Sequence, residues 1–158
     1  MGKKLIFGLG GLVLGVILTL GIFWLAAPSL MMMEDESNYD FDETVERFDE
    51  ELDNAGWSVL EIHDMQEILD GHGHDVDQIK IYELCSSEYS ANILELDDER
   101  IVSPLMPCRV SVYEKSDGNT YISRMNSSLF AMPFGGVIND TMQVAAEETE
   151  DVIDELID

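Results

Sequence analysis

The chain has 158 residues and carries 33 acidic against 8 basic side chains, a net charge of −25. A field of that sign repels nucleic acid and anionic headgroups, so neither is a partner that charge would recruit. The length suits one domain behind a short leader.

Lys3 and Lys4 open the chain, and an apolar run without a single charge follows from Leu5 to Ala27. That length matches a helix crossing a ~30 Å hydrocarbon core. Basic residues stay on the cytoplasmic side, and nothing basic follows until Arg47. The expectation is a single-pass protein of the cell membrane, with a cytoplasmic N-terminus and an extracytoplasmic C-terminal domain. A cleaved signal peptide is the competing reading. Its apolar stretch is normally ~7 to 15 residues long, and Trp24-Leu25-Ala26-Ala27-Pro28 offers no clean small-x-small site. Residues 1–29 are therefore expected to form the anchor and residues 30–158 an acidic outer domain with 6 basic against 33 acidic residues. Such a charge is explained either by a saline exterior or by solubility alone. Gly11 and Gly15 have the GxxxG spacing that lets two membrane helices pack, although glycine is common in such helices.

Beyond the anchor, Tyr39 to Gly56 reads as a helix. Asp40 and Glu43 have capping-box spacing, and Phe41, Val45, Phe48 and Leu52 recur on one face. Trp57 to Ile62 reads as a strand, and Asp64 with Glu67 caps a brief helix ending at Gly71. A loop with His72 and His74 follows, then a strand from Ile79 to Cys85. Ser87 is expected to cap a helix carrying Tyr89, Ile93, Leu94 and Leu96, shortened by Asp97 and Asp98 at its negative end. Arg109 to Glu114 and Thr120 to Met125 form a hairpin around Asp117-Gly118. Alternation puts Val110 and Val112 on one face, with Tyr113 on the other near Tyr121. Ile138, Met142, Ala145, Thr149, Val152 and Leu156 keep helical spacing to the end. These elements predict an α+β fold, a small sheet with helices packed on one face.

Cys85 and Cys108 lie in the expected outer domain, where a disulfide can persist. Pairing would close a loop of roughly 22 residues and contribute ~3 kcal/mol. Two buried free thiols and a metal-bound or reactive pair are the other readings. With Met106, the two cysteines could also form a soft-ligand or redox centre for copper(I), haem or reduced sulfur. His72 and His74 beside Asp75 and Asp77 have a donor set suited to zinc or nickel, but two histidines in a glycine loop are usually a solvated segment. No GxSxG, HExxH or P-loop is present, so catalysis is not the expected role. In Ser128 to Gly136 periodicity is lost while Phe130, Met132 and Phe134 are retained, as at an interface, at a pocket rim or under a sheet.

The stretches Phe41 to Phe48, Ala55-Gly56-Trp57, Ile81 to Cys85 and Leu105 to Glu114 resemble, in order and spacing, the family named domain of unknown function 302. The similarity extends to its anchored members through Thr120 to Asn126 and Gly135-Gly136. The resemblance implies a small α+β fold that tends to dimerise, with an extra strand here drawn from Leu30 to Glu36. It also implies that Cys85 and Cys108 share a site, and it brings no reaction and no cofactor. The expected role is a dimeric binding or interaction module at the outer membrane surface, contacting a small ligand or an envelope protein. A redox or soft-metal accessory protein is the alternative.

Overall fold

A computed structural model describes residues 2–157, with side chains described from residue 10 onward. It divides into two compact units at Met31/Met32. The first is helix α1 (Gly2–Met31), with Pro28 inside its last turn. Its Gly10–Met31 stretch is long and apolar enough to cross a membrane, a property that anchors and signal sequences share. The Thr19 hydroxyl donates to the Gly15 carbonyl at 2.9 Å, so it needs no water partner. The helix runs two residues past the expected boundary, and Leu30 and Met31 belong to it rather than to a strand.

The second unit is built on a five-stranded antiparallel sheet of β1 (Met32–Glu36), β2 (Ser58–Asp64), β3 (Ile79–Cys85), β4 (Cys108–Glu114) and β5 (Thr120–Met125). The spatial order is β1-β5-β4-β3-β2. Helices α2 (Phe41–Asn54), α3 (Met65–Asp70) and α4 (Ser87–Leu94), the last followed by a 3₁₀ segment at Glu99–Leu105, connect the strands up to β4, and α5 (Ser127–Ala131) and α6 (Gly136–Ile157) follow β5.

The caps form as their spacing demands. Asp40 accepts from the Glu43 amide and Asp64 from the Glu67 amide, each at 3.0 Å. At α4 the N-cap is Ser86 rather than Ser87. The β4–β5 turn places Gly118 at φ 84°, a backbone region that side chains with a Cβ avoid.

Phe41, Phe48 and Leu52 of α2 meet Tyr82, Leu84, Val110, Val112 and Ile122 of the sheet and Ala145, Val152, Ile153 and Leu156 of α6. Phe48 lies edge-on to Tyr82 with ring centroids 5.0 Å apart. A second, smaller core joins Ile93, Val102, Ala131, Ile138 and Met142. Period-two alternation sends Tyr82, Val110, Val112 and Ile122 toward the helices. Among the described residues of this unit, the helices α2 and α6 pack on that side, and the opposite face presents Glu34, Ile81, Glu83, Arg109, Ser111, Tyr113, Tyr121 and Ser123 without a helix of the unit over them.

On the helix-covered side β5 buries a charged residue, Arg124, besides the polar Thr120. The register places Arg124 opposite Val110 and Met33, and it is 5% exposed. There it pairs with Asp35 of β1 and Glu150 of α6, tying the edge strand to the last helix.

Candidate functional site

Cys108 opens β4 opposite Leu84, and Cys85 closes β3 one residue further on. Neighbouring strands thus bring the two cysteines to the lining of one cavity. Both are free, half-buried thiols. They border a cavity of about 30 Å³ with Trp57, Tyr89, Met106 and Met142. That is room for an ion or one or two waters, and a larger ligand would require α4 or α6 to move.

The Cys85 sulfur lies 3.3 Å from the Ser90 hydroxyl of α4. Burial, and secondarily the neighbouring Cys85, pushes the Cys108 thiol up. A thiol held protonated in this way is a poor nucleophile at neutral pH. Tyr89 covers the cavity from the side of α4. It donates to Glu148 at 2.5 Å, and that bond is the main cause of a phenol pushed up to about 12. Among the described residues the buried indole N–H of Trp57, another lining residue, has no hydrogen-bond partner.

The bare side of the sheet has a larger hollow of about 410 Å³. Its lining includes Met32, Ile81, Met106, Arg109, Ser111 and Met125. Its chemistry is an apolar wall with the Ser111 and Ser123 hydroxyls and two arginines, Arg109 and Arg124, in its lining. Beside it runs a charge network that sequence reading did not assemble. His63 of β2 places Nε2 3.3 Å from Glu83 and Nδ1 3.9 Å from Glu61, while the Arg109 guanidinium donates to Glu83 at 2.6 Å. Hydrogen bonds from Arg109 and then His63 hold the Glu83 carboxyl below its usual range. Glu61, His63 and Glu83 are the group of potential metal ligands that converges among the described residues. The guanidinium already on Glu83 makes an ion-pair network the better description, because a cation there would have to displace it. Strand register was the missed signal, since β2–β3 pairing puts Glu61 opposite Glu83.

At the other end of that face, Lys115 donates to Glu34 at 2.7 Å and Tyr113 donates to the same carboxylate. Both hold Glu34 below its usual range, Lys115 most. Tyr113 and Tyr121 stack at 6.2 Å, as alternation predicted.

The remaining candidates separate. His72 and His74 are exposed. His74 and Asp75, without His72 or Asp77, border an open surface hollow with Asp64, Glu67 and Asp70. Phe130 is half-buried in α5, while Met132 and Phe134 beyond it are 62% and 48% exposed.

This architecture defines a small α+β domain behind an apolar helix. The chain belongs to the family described as domain of unknown function DUF302, whose model matches residues 33–158. It is similar to the crystal structure of an uncharacterised conserved DUF302 protein from Bacillus stearothermophilus. The two share 22% identity and a TM-score of 0.72, over 80% of this chain and 98% of that one. No curated protein matches the chain.

Proposed function

We propose that the chain is a single-pass membrane protein whose acidic domain stands outside the cytoplasm, where it serves as a binding module that pairs with a second copy across the bare face of its sheet. The observation that carries this reading is the 410 Å³ hollow on a helix-free sheet face, which a second copy would close into a chamber. Charge supports the choice of face. The outer unit has 6 basic residues, and two of them, Arg109 and Lys115, stand on this side neutralising Glu83 and Glu34. Two copies that repel through unpaired carboxylates meet here at a lower electrostatic cost than on the acidic helical surface. The apolar wall with Ser111 and Arg109 suits a small, mainly apolar ligand bearing one acceptor group.

Sedimentation of the full chain in lipid nanodiscs tests the pairing. The wild type is expected to be dimeric and Ser111→Arg monomeric with an unchanged circular dichroism spectrum and a melting temperature that no longer depends on protein concentration. A wild type that stays monomeric at tens of micromolar, a generous concentration for a physiological dimer, would sink the reading. Protease added to intact cells tests the location, and an outer domain that survives uncut removes it.

The convergence of Cys85, Cys108, Met106 and Met142 on one small cavity favours a second reading, a soft-metal site. Copper(I) added under reducing conditions would then bind stoichiometrically to the wild type and not to Cys85→Ser/Cys108→Ser.

A further inference from the structure

We infer that one end of the outer domain, formed by the start of β1, the 3₁₀ segment and the α5–α6 connection, rests on the lipid surface, with Ile101, Met132 and Phe134 entering the interface. This inference rests on the proposed anchor.

Three observations converge. The first is continuity. Helix α1 ends at Met31 and β1 begins at Met32, so no linker residue lies between them. The end of the sheet where β1 starts is the end that the apolar helix joins covalently.

The second is which segments gather at that end. Met32 borders the same hollow as Pro104 and Leu105. Val102 of the 3₁₀ segment packs with Ala131 and Ile138, joining that segment to α5 and to the start of α6. The neighbours of these buried residues turn outward instead. Ile101 is 73% exposed, Met132 62%, Met32 53%, Phe134 48% and Val137 41%.

The third is charge. With 33 acidic residues in the chain, an uncharged stretch is unusual, yet Ile101–Cys108 and Met125–Asn139 contain no charged residue. Both stretches meet at this end, and charge resumes on their borders at the Asp97-Asp98-Glu99-Arg100 run, at Arg109, at Arg124 and at Asp140. The opposite end carries Lys115, Asp117, Asp75 and Asp77, on the hairpin and on the loop before β3. Large apolar side chains on an uncharged rim fit the boundary between headgroups and acyl chains. An acidic surface does not.

Tryptophan quenching in bilayers of phosphatidylcholine brominated just below the headgroup tests the contact on the full chain. Trp24 lies in the apolar helix and reports whether the anchor is inserted, whereas Trp57 is buried at 7% exposure. In Phe134→Trp the added emission is expected to lose at least about half its intensity. In Ser116→Trp, at the far hairpin, the added emission is expected to lose none. Met132→Trp reads the same surface should Phe134→Trp fail to fold by circular dichroism. Quenched Trp24 with unquenched tryptophan at 132 and 134 overturns the contact and leaves the anchor standing. Equal quenching at 116 and 134 also overturns it, because the contact would not belong to one end. Unquenched Trp24 removes the anchor and the inference together.

Discussion

The two faces of the sheet are made by the same strands and differ in what they do. On the helix side, Tyr82, Val112 and Ile122 are fully buried and close-packed against α2 and α6. On the bare side, tyrosines, serines and paired charges stand half-exposed over a hollow. The close packing therefore lies on one face, and in the proposed reading the other serves binding. Substitutions on the two faces separate these roles.

Phe48→Ala is the largest test. Phe48 is fully buried and meets Tyr82 edge-on, so truncation should cost about 3–5 kcal/mol in urea unfolding. Arg124→Ala comes next. It leaves Asp35 and Glu150 facing the packed side without their cation. Both carboxylates reach water, so a loss of about 2 kcal/mol is expected, below the figure for a fully enclosed pair. Tyr113→Ala, on the bare face, removes a stacked ring and a hydrogen bond at a site open to solvent and should cost about 1 kcal/mol. A loss equal to that of Phe48→Ala would erase the contrast between the faces.

Long periodic elements announced this division, and short aperiodic ones concealed the site. The α6 stripe from Ile138 to Leu156 is buried as its 3.6-residue spacing required. The hairpin and both aspartate caps also formed where turn and capping chemistry placed them. The 3₁₀ segment and α5 escaped because each is too short to show a period and is held by tertiary contacts among Val102, Ala131 and Ile138. Arg124 was legible in principle. Counting by twos from Thr120 puts it on the core face, where only an acidic partner from another element would tolerate it. The cysteine cavity needed strand register, because nothing local to residue 85 or 108 indicates that β3 and β4 pair with Leu84 opposite Cys108.

pH sharpens the comparison on the bare face. The Glu34 carboxyl is held down by Lys115 and Tyr113, so its folded pKa lies below its unfolded one. Its contribution is therefore present above the unfolded value and is lost as pH falls through the folded value. Glu34→Gln should lower stability at neutral pH and flatten the acid-side decline relative to wild type. Protonation also relieves repulsion among the other carboxylates, but that relief is common to both proteins and cancels in the difference. Parallel pH curves would mean the Lys115 pair contributes nothing.

The smallest expected effect concerns the uncharged end. Phe134 is half-exposed and lies outside both packed cores, so Phe134→Ser should shift the unfolding free energy of the full chain by no more than about 0.5 kcal/mol in a detergent that screens its rim. Near-neutrality has physical content here. An aromatic side chain kept outward in a chain this acidic, without a role in stability, is free to contact something other than the protein's own core. A loss of several kcal/mol would instead place Phe134 inside the smaller core. The uncharged end would then belong with the helix-covered face, and the contrast between covered and bare surfaces would no longer extend to it.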